Sequence, residues 1–281
     1  MVLQITNTCS NACPHCLQNS TPEPQHMTTQ LFYNVMRFVK YAGSRTLLIS
    51  GGEPTAHPDW YQFMLQACSD MMKHHHCSVV ILATNGAWLR NHDVSIENKV
   101  RTLIETNPNL IVQVTSIEGI YPDHQKTVDE FRRFKMSLYD LHRSRISLIT
   151  ELTGIIALGR ACESEKYLSS SQKSSTTTSC FPSAVVAAQT DFKSAIDVLE
   201  SKVKLCHPLI DWQGKLHWSE SWLCPSFGQI PSEESFDESV FDDIAEAACV
   251  WRPCGKCPGY KKLLENNYPK YVIAKHLLGI Q

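Results

Sequence analysis

The chain has 281 residues, a formal net charge of −2, 43% hydrophobic residues and 19% charged residues. This length allows one large domain, or one domain with a small satellite. The near-neutral charge gives no basic surface for nucleic acid, and no apolar run is long enough to cross a membrane. The first residues show no basic segment followed by an apolar core. We therefore expect no secretion signal and a cytoplasmic protein.

Four apolar segments predict buried strands. They are MVLQIT, RTLLISGGEPT, which runs into two glycines, SVVILATNGAWL, which ends in Asn-Gly turn chemistry, and NLIVQVTSIEG, which is closed by a glycine. Between them, apolar residues at three-and-four spacing predict helices at TTQLFYNVMRFVKYAG, which ends at Gly43, and DWYQFMLQACSDMMKHHH. A further helix is predicted at QKTVDEFRRFKMSLYDLHRS, and one long or two short strands in RISLITELTGIIALGRA. Buried strands that alternate with helices of this length indicate repeated βα units and a parallel sheet.

Three cysteines, Cys9, Cys13 and Cys16, fall on the loop directly after the first predicted strand. In a reducing compartment clustered thiols indicate a metal or redox site, and soft thiolates suit iron–sulfur clusters or zinc. A closed structural site needs four ligands, whereas a catalytic site keeps one position open. His15 lies between the last two cysteines and is in principle a fourth ligand.

The second predicted strand runs into SGGEPT, residues 50–55. Its two glycines let the backbone approach a ligand closely, because they carry no Cβ atom. Its glutamate supplies a negatively charged acceptor. By itself, Gly-Gly-Glu-Pro is typical of an ordinary turn at the end of a strand.

Together, C-x3-C-x2-C after a first strand and GGE-P one βα unit later resemble the radical S-adenosylmethionine (radical SAM) superfamily. The resemblance implies that Cys9, Cys13 and Cys16 hold three irons of a [4Fe-4S] cluster, with the fourth iron open to the amino and carboxylate groups of SAM. His15 matches a position that is usually aromatic in the family, which implies packing near the adenine and not ligation. The implied fold is α/β, a partial (β/α)6 TIM-like barrel that is open on one side.

The resemblance also implies which residues contact SAM. Glu53 would accept a hydrogen bond from the SAM ammonium, and the strand ends in ATNG and VTSIEG would offer further polar groups. The arginine of GIIALGRA would suit the SAM carboxylate, since a guanidinium forms a planar fork; a surface arginine is the alternative. The expected cofactor-binding residues are Gly51, Gly52, Glu53, Pro54, Thr84, Asn85, Ser116, Arg160 and His15.

A second group of cysteines lies towards the end of the chain. Cys206 and Cys224 flank a predicted hairpin, HPLIDWQGKLHWSE, and Cys254 and Cys257 form a C-x2-C pair. Two distant pairs that close on one ion are typical of zinc. The resemblance to twitch and SPASM extensions favours an auxiliary iron–sulfur cluster, with zinc or plain thiols as alternatives. Gly214 lies further from Cys224 than in the family pattern, so we expect one auxiliary cluster at most.

These features divide the chain into three parts. Residues 1–165 are expected to form the radical SAM partial barrel, and residues 166–185 a Ser/Thr-rich linker or loop that is too polar to bury a core. Residues 186–281 are expected to form a small Cys-rich α+β extension that carries the auxiliary metal-cluster site. The short distance from His124 to Arg160 leaves less than two full βα units, so we expect one abbreviated barrel element.

The resemblance implies that a 5′-deoxyadenosyl radical, made by reductive cleavage of SAM, abstracts hydrogen from an unactivated C–H bond. Members with auxiliary clusters often modify ribosomally made peptides, which favours a peptide substrate and epimerisation or cross-linking. Cys162 and Cys180 are then candidates for returning a hydrogen atom. The few residues before Cys9 leave no room for an N-terminal peptide-recognition domain, which weakens this interpretation. The alternative is dehydrogenation or rearrangement of a small molecule.

The expected partners are a substrate and an electron donor such as flavodoxin or ferredoxin, without nucleic acid or a membrane. A hypothesis of another class is a non-enzymatic protein that binds an iron–sulfur cluster or zinc. Such a protein would have no need of SGGEP one βα unit after its cysteines.

Overall fold

The computed structural model describes residues 1–74, 76, 78–151, 209–217 and 226–249. Its strands are β1 (Val2–Gln4), β2 (Thr46–Ser50), β3 (Val79–Thr84), β4 (Leu110–Thr115), β5 (Ile146–Ile149), β6 (Leu209–Ile210), β7 (Lys215–His217) and β8 (Ser226–Gln229). Its helices are α1 (Thr29–Tyr41), α2 (Trp60–His74), α3 (Ala87–Arg90), α4 (Val94–Thr106), α5 (His124–Ser137), α6 (Asp140–Arg143) and α7 (Ser239–Cys249), with a 3-10 turn at Pro54–Ala56.

The strands form one open sheet in the order β5-β4-β3-β2-β1-β6-β7-β8. The first six strands in this order, β5, β4, β3, β2, β1 and β6, pair in parallel with their neighbours. The pairs β6–β7 and β7–β8 are antiparallel. The four strands predicted from apolar runs are confirmed, and part of the fifth predicted segment forms β5. The carboxyl ends of β1 to β5 point to one edge of the sheet, which is where α/β proteins build their sites.

Helices α1 and α2 follow the predicted apolar periodicity. The Thr28 hydroxyl caps α1 by accepting from the backbone N–H of Leu31, and the α1 face buries Phe32 and Phe38. Phe32 stacks on Phe63 of α2 with 4.0 Å between ring centroids. This contact joins the two helices over the sheet, and their predictions are confirmed.

The structure contains a helix, α4, that we did not predict. Asp93 caps it by accepting from the Ile96 N–H, and it buries only Val100, Leu103 and Ile104. The cap and the narrow apolar stripe were both present in the sequence. No helix in the described ranges is long and apolar enough to cross a membrane.

The predicted hairpin is confirmed as β6 and β7, with Gly214 at a left-handed φ of 82° in its turn. Strand β6 pairs in parallel with β1, so the sheet continues from the barrel strands into the C-terminal part of the sequence. Asn34 of α1 donates to the carbonyl oxygens of Pro231 and Glu233, both at 2.8 Å. Because 152–208 lie outside the described residues, the boundaries at 165 and 185 stay predictions.

Candidate active site

The loop after β1 carries the three clustered cysteines and folds back on itself before α1 begins. Thr6 forms a bridge with His26, and Thr8 forms one with Thr21. The backbone N–H of Cys9 donates to the Thr21 carbonyl oxygen at 2.7 Å. Cys9 and Cys13 are each 8% exposed, and Cys16 is half-buried. The fold therefore holds these thiols at the carboxyl edge of the sheet and shields two of them from water.

Several N–H groups lie close to the cysteine sulfurs. The Asn11 backbone N–H is 3.5 Å from the Cys9 sulfur, and the Asn85 side-chain amide is 3.6 Å from it. The Ser20 N–H is 3.4 Å from the Cys16 sulfur. Such donors stabilise negative charge on sulfur, and they surround ligating cysteines in iron–sulfur proteins.

Tyr121, in the loop after β4, faces the cysteine loop from across the sheet edge. Burial raises the pKa of its hydroxyl, and the negative charges of Cys13, Cys9, Cys16 and Glu53 raise it further. Its ring centroid is 5.4 Å from that of His15, at an interplanar angle of 51°. His15 therefore contacts an aromatic residue that we did not single out in the sequence, and its expected packing near the adenine stays a prediction.

The three thiols are a donor set that an iron–sulfur cluster can use. Within the described ranges, no three His, Cys, Asp or Glu side chains converge as they would on one metal ion. A [4Fe-4S] cluster does not need this convergence, because each cysteine ligates a different iron. Three thiols on one loop, with N–H donors at two of the sulfurs, can each ligate a separate iron of such a cluster.

Gly51 and Gly52 bring the end of β2 against the cysteine loop. A Cβ atom on Gly51 would lie 2.4 Å from the Thr6 carbonyl oxygen, and one on Gly52 would lie 2.5 Å from that of Thr8. The same carbonyl oxygens accept from the N–H groups of Gly52, at 2.8 Å, and Glu53, at 2.9 Å. The two glycines therefore allow a close approach to the backbone of the loop, and the close approach to a ligand that we expected stays a prediction.

The carboxylate of Glu53 is 5% exposed and joins the ends of β2 and β3. Its Oε1 accepts from the Thr84 hydroxyl at 2.7 Å and from the hydroxyl and N–H of Thr55 at 2.7 and 3.2 Å. Its Oε2 accepts from the Asn85 N–H at 2.7 Å. A carboxylate has about four lone-pair sites, two on each oxygen, so Oε2 retains acceptor capacity.

The remaining expected residues in the described ranges lie at the same edge. Pro54 is buried and opens the 3-10 turn after Glu53. The Thr84 hydroxyl also accepts from the Gly86 N–H at 3.2 Å. Ser116 is fully buried after β4, with its hydroxyl 3.2 Å from Nδ1 of His124. The topology thus brings the strand ends together as expected, although Thr84 and Ser116 already have protein partners.

A cavity of about 250 Å³ lies between the cysteine loop, the Glu53 segment and the start of α3 and α4. Thr8, Glu53, Thr55 and Trp88 contribute to its lining. The indole N–H of Trp88 is buried and has no hydrogen-bond partner among the residues that the structure describes. The cavity leaves space for a ligand next to the carboxylate of Glu53.

Several predicted site residues lie outside the described ranges: Arg160, Cys162, Cys180, Cys206, Cys224, Cys254 and Cys257. Conversely, the structure brings Asn11, Arg90 and Tyr121 to the cysteine loop. Asn11 was findable from its position between Cys9 and Cys13. Arg90 and Tyr121 follow strands β3 and β4, so their chain positions were the available signal.

Comparison with solved structures finds similar chains at low sequence identity. BtrN, solved in complex with AdoMet and 2-DOIA, matches with a TM-score of 0.53, 12% identity, and coverage of 92% of this chain and 91% of that chain. The anSMEcpe complex with AdoMet and the Cp18Cys peptide matches with a TM-score of 0.47 and 12% identity, and the match covers 98% of each chain. SuiB of Streptococcus suis, bound to S-adenosylmethionine, matches with a TM-score of 0.47 and 13% identity. The match covers 92% of this chain and 70% of that chain. No curated protein sequence matches the chain.

The family comparison covers the part of the chain that holds the described site. The model of the Radical SAM superfamily matches residues 3–156, which is more than half of the sequence. This range contains most of β1, the cysteine loop, the SGGEPT segment and strands β2 to β5. Members of this superfamily are enzymes that use SAM and a [4Fe-4S] cluster. This chain belongs to the Radical SAM superfamily.

Proposed function

We propose that Cys9, Cys13 and Cys16 ligate a [4Fe-4S] cluster, beside which Glu53 binds the ammonium group of SAM. The observation that carries this proposal is the position of Asn85. Its backbone N–H donates to Glu53 at 2.7 Å, and its side-chain amide lies 3.6 Å from the Cys9 sulfur. One residue therefore fixes the expected amine-binding carboxylate relative to the expected cluster ligands.

When bound, the cluster and SAM would supply a 5′-deoxyadenosyl radical, which abstracts a hydrogen atom from an unactivated C–H bond. The chain's own contribution is orientation and protection. Neutral donors fix the Glu53 carboxylate, and the free acceptor capacity of Oε2 is available to an ammonium group. Cys9 and Cys13 are shielded from solvent, which limits side reactions of a reactive intermediate. Tyr121 and His15 add an aromatic wall beside the loop.

The substrate that we propose is a peptide, which is modified by epimerisation or cross-linking. If the reaction is epimerisation, Cys162 or Cys180 is the proposed hydrogen-atom donor. Its support is the resemblance of the C-terminal cysteines to the extensions of peptide-modifying members. A small molecule that is dehydrogenated or rearranged is the alternative. Its support is BtrN, which has a TM-score of 0.53 and was solved with AdoMet and 2-DOIA.

We also propose that Cys206, Cys224, Cys254 and Cys257 hold one auxiliary [4Fe-4S] cluster, with zinc as the alternative. The spacing of the two pairs in the sequence supports a metal site. The resemblance to twitch and SPASM extensions favours an iron–sulfur cluster over zinc at this site. The proposed electron donor is a flavodoxin or a ferredoxin, since reductive cleavage of SAM consumes one electron.

The decisive experiment is anaerobic reconstitution with iron and sulfide, reduction with dithionite, addition of SAM and chromatography of 5′-deoxyadenosine. We expect the wild type to form this product and Cys13→Ala to form none, because Cys13 supplies one of three iron ligands. Cys68→Ala is the matched control. Cys68 is buried in α2, and burial raises its pKa to about 12, so it is an unreactive thiol away from the site.

Metal analysis of the same samples tests the auxiliary site. We expect about eight irons per chain with two clusters and about four with one, from the composition of a [4Fe-4S] cluster. Uptake of zinc with SAM left intact would show that the chain is a metal-stabilised scaffold and would contradict the proposed function.

A further inference from the structure

Arg90, the last residue of α3, carries a buried positive charge beside the cysteine loop. The residue as a whole is 6% exposed. Among the residues that the structure describes, no carboxylate lies within ion-pair distance of its guanidinium. A buried charge without a counter-charge is costly, so a chain that keeps one has a use for it.

The guanidinium bonds to Asn11 and Asn85, which both donate to the Cys9 sulfur. Its Nη1 donates to the backbone carbonyl oxygen of Asn85 at 3.3 Å, and its Nη2 donates to the side-chain oxygen of Asn11. Asn85 in turn points its side-chain amide at the Cys9 sulfur, and Asn11 directs its backbone N–H there. Arg90 therefore holds Asn11 and Asn85 in position, and each of these residues directs an N–H group at the Cys9 sulfur.

This arrangement has an electrostatic consequence for whatever Cys9 ligates. N–H donors and a nearby positive charge both stabilise negative charge on sulfur, and in a buried site they are weakly screened. A [4Fe-4S] cluster becomes one unit more negative when it is reduced. Hydrogen bonds to its sulfurs are among the features that set its reduction potential.

We propose that Arg90 is a positioning residue that sets the Cys9 sulfur and raises the reduction potential of the cluster proposed above. It acts through Asn11 and Asn85, and directly through its charge. The inference rests on the proposed function, because it requires that Cys9 ligates a cluster. No group other than the guanidinium supplies a positive charge to this network in the contacts that the described residues make.

The test is a potentiometric titration of the reconstituted cluster without SAM, followed by electron paramagnetic resonance. Arg90→Gln keeps an amide donor but removes the charge, and we expect its midpoint potential to shift to more negative values at unchanged iron content. Arg90→Lys restores the charge, and we expect it to recover most of the shift. Equal midpoint potentials for wild type and Arg90→Gln, at equal iron content, would overturn the proposal.

Asn11→Asp provides a second variant in case Arg90→Gln does not fold. It keeps the backbone N–H that faces Cys9 and gives Arg90 a carboxylate partner. We expect a higher unfolding temperature of the metal-free protein and a more negative cluster potential. An unchanged or lower unfolding temperature would show that the guanidinium needs no counter-charge, and an unchanged potential would show that its charge does not reach the cluster; either result overturns the proposal.

The two levels of inference fail in different ways. If wild-type protein takes up no cluster, the proposed function fails, and the claim about potential fails with it. The unfolding temperature of metal-free Asn11→Asp still reports whether Arg90 lacks a counter-charge. If wild-type protein cleaves SAM but the Arg90 variants keep its midpoint potential, only the further inference fails.

Discussion

The carboxylate of Glu53 is almost fully buried, and its observed partners are neutral donors from Thr55, Thr84 and Asn85. A buried carboxylate is tolerated when several N–H and O–H groups replace its lost hydration. This residue is therefore part of the folded framework as well as a candidate ligand for SAM. Glu53 can serve both purposes because the strand ends that it joins also form the candidate site.

Glu53→Gln tests this dual role in the metal-free protein. The side-chain amide would place N–H groups against existing donors, so we expect the free energy of unfolding to fall by about 1–3 kcal/mol. Urea denaturation measures this change. The control Glu118→Gln alters an exposed side chain and should stay within about 0.5 kcal/mol of wild type. Equal stabilities for the two variants would show that the observed donors do not depend on the carboxylate.

The residue scale also shows what sequence reasoning missed. Cys9, Cys13, Cys16 and Glu53 could be singled out because their spacing is local and their chemistry is distinctive. Arg90 had only its place after β3 as a signal, because its role comes from a contact with Asn11, seventy-nine positions away along the chain. An arginine at the end of a short helix is otherwise typical of a solvated surface.

At the scale of elements, the site depends on how closely the end of β2 packs on the loop after β1. Backbone hydrogen bonds from Gly52 and Glu53 continue the parallel pairing of these strands beyond their assigned ends. The two glycines are required because any Cβ atom would meet a carbonyl oxygen of the loop. The close approach therefore couples the loop conformation to the sheet.

Gly52→Ala tests this coupling. The added Cβ would lie 2.5 Å from the Thr8 carbonyl oxygen, so the loop must move. We expect a loss of about 2 kcal/mol or more in unfolding free energy, and less iron bound per chain after reconstitution. Chemical denaturation and iron analysis measure these effects.

Gly119→Ala is the matched control for this substitution. Gly119 has a φ of 72°, and within the described part of the chain no atom lies within 4 Å of an added Cβ. We expect a cost of about 1–2 kcal/mol from the left-handed backbone alone, with iron uptake retained. If Gly119→Ala lowers iron uptake as much as Gly52→Ala does, the close packing at Gly52 is not what shapes the loop.

At the scale of the whole molecule, the C-terminal part of the sequence is built onto the first βα unit. Strand β6 extends the sheet beside β1, and α7 packs on α1, where Phe241 and Phe38 have ring centroids 5.3 Å apart. Asn34 is 1% exposed and binds two carbonyl oxygens of the segment before α7. The stability of α1 and of this segment is therefore shared.

Asn34→Ala tests this shared stability. It leaves the carbonyl oxygens of Pro231 and Glu233 without their donor, so we expect a loss of about 1–3 kcal/mol in unfolding free energy. Limited proteolysis should cut faster between β8 and α7 than in wild type. Gln125→Ala, which removes only an exposed contact within α5, should leave both measurements unchanged. Unchanged proteolysis of Asn34→Ala would show that this tether is not required.

The sequence by itself determined the local features of this protein. Apolar runs marked β1 to β4, apolar periodicity marked α1 and α2, and the cysteine and glycine motifs marked the family, because each signal lies within a few consecutive residues. Helix α4 was missed because its buried stripe is narrow, and β8 because its four residues show no clear alternation.

Only the tertiary structure decided which distant residues meet. It placed β6 beside β1, turned the close approach of Gly51 and Gly52 towards the cysteine loop, and brought Arg90 and Tyr121 to the thiols. These pairings follow from the packing of strands and helices that are far apart in the chain. Local propensity carries no information about such packing, because the same segment could be buried against several partners.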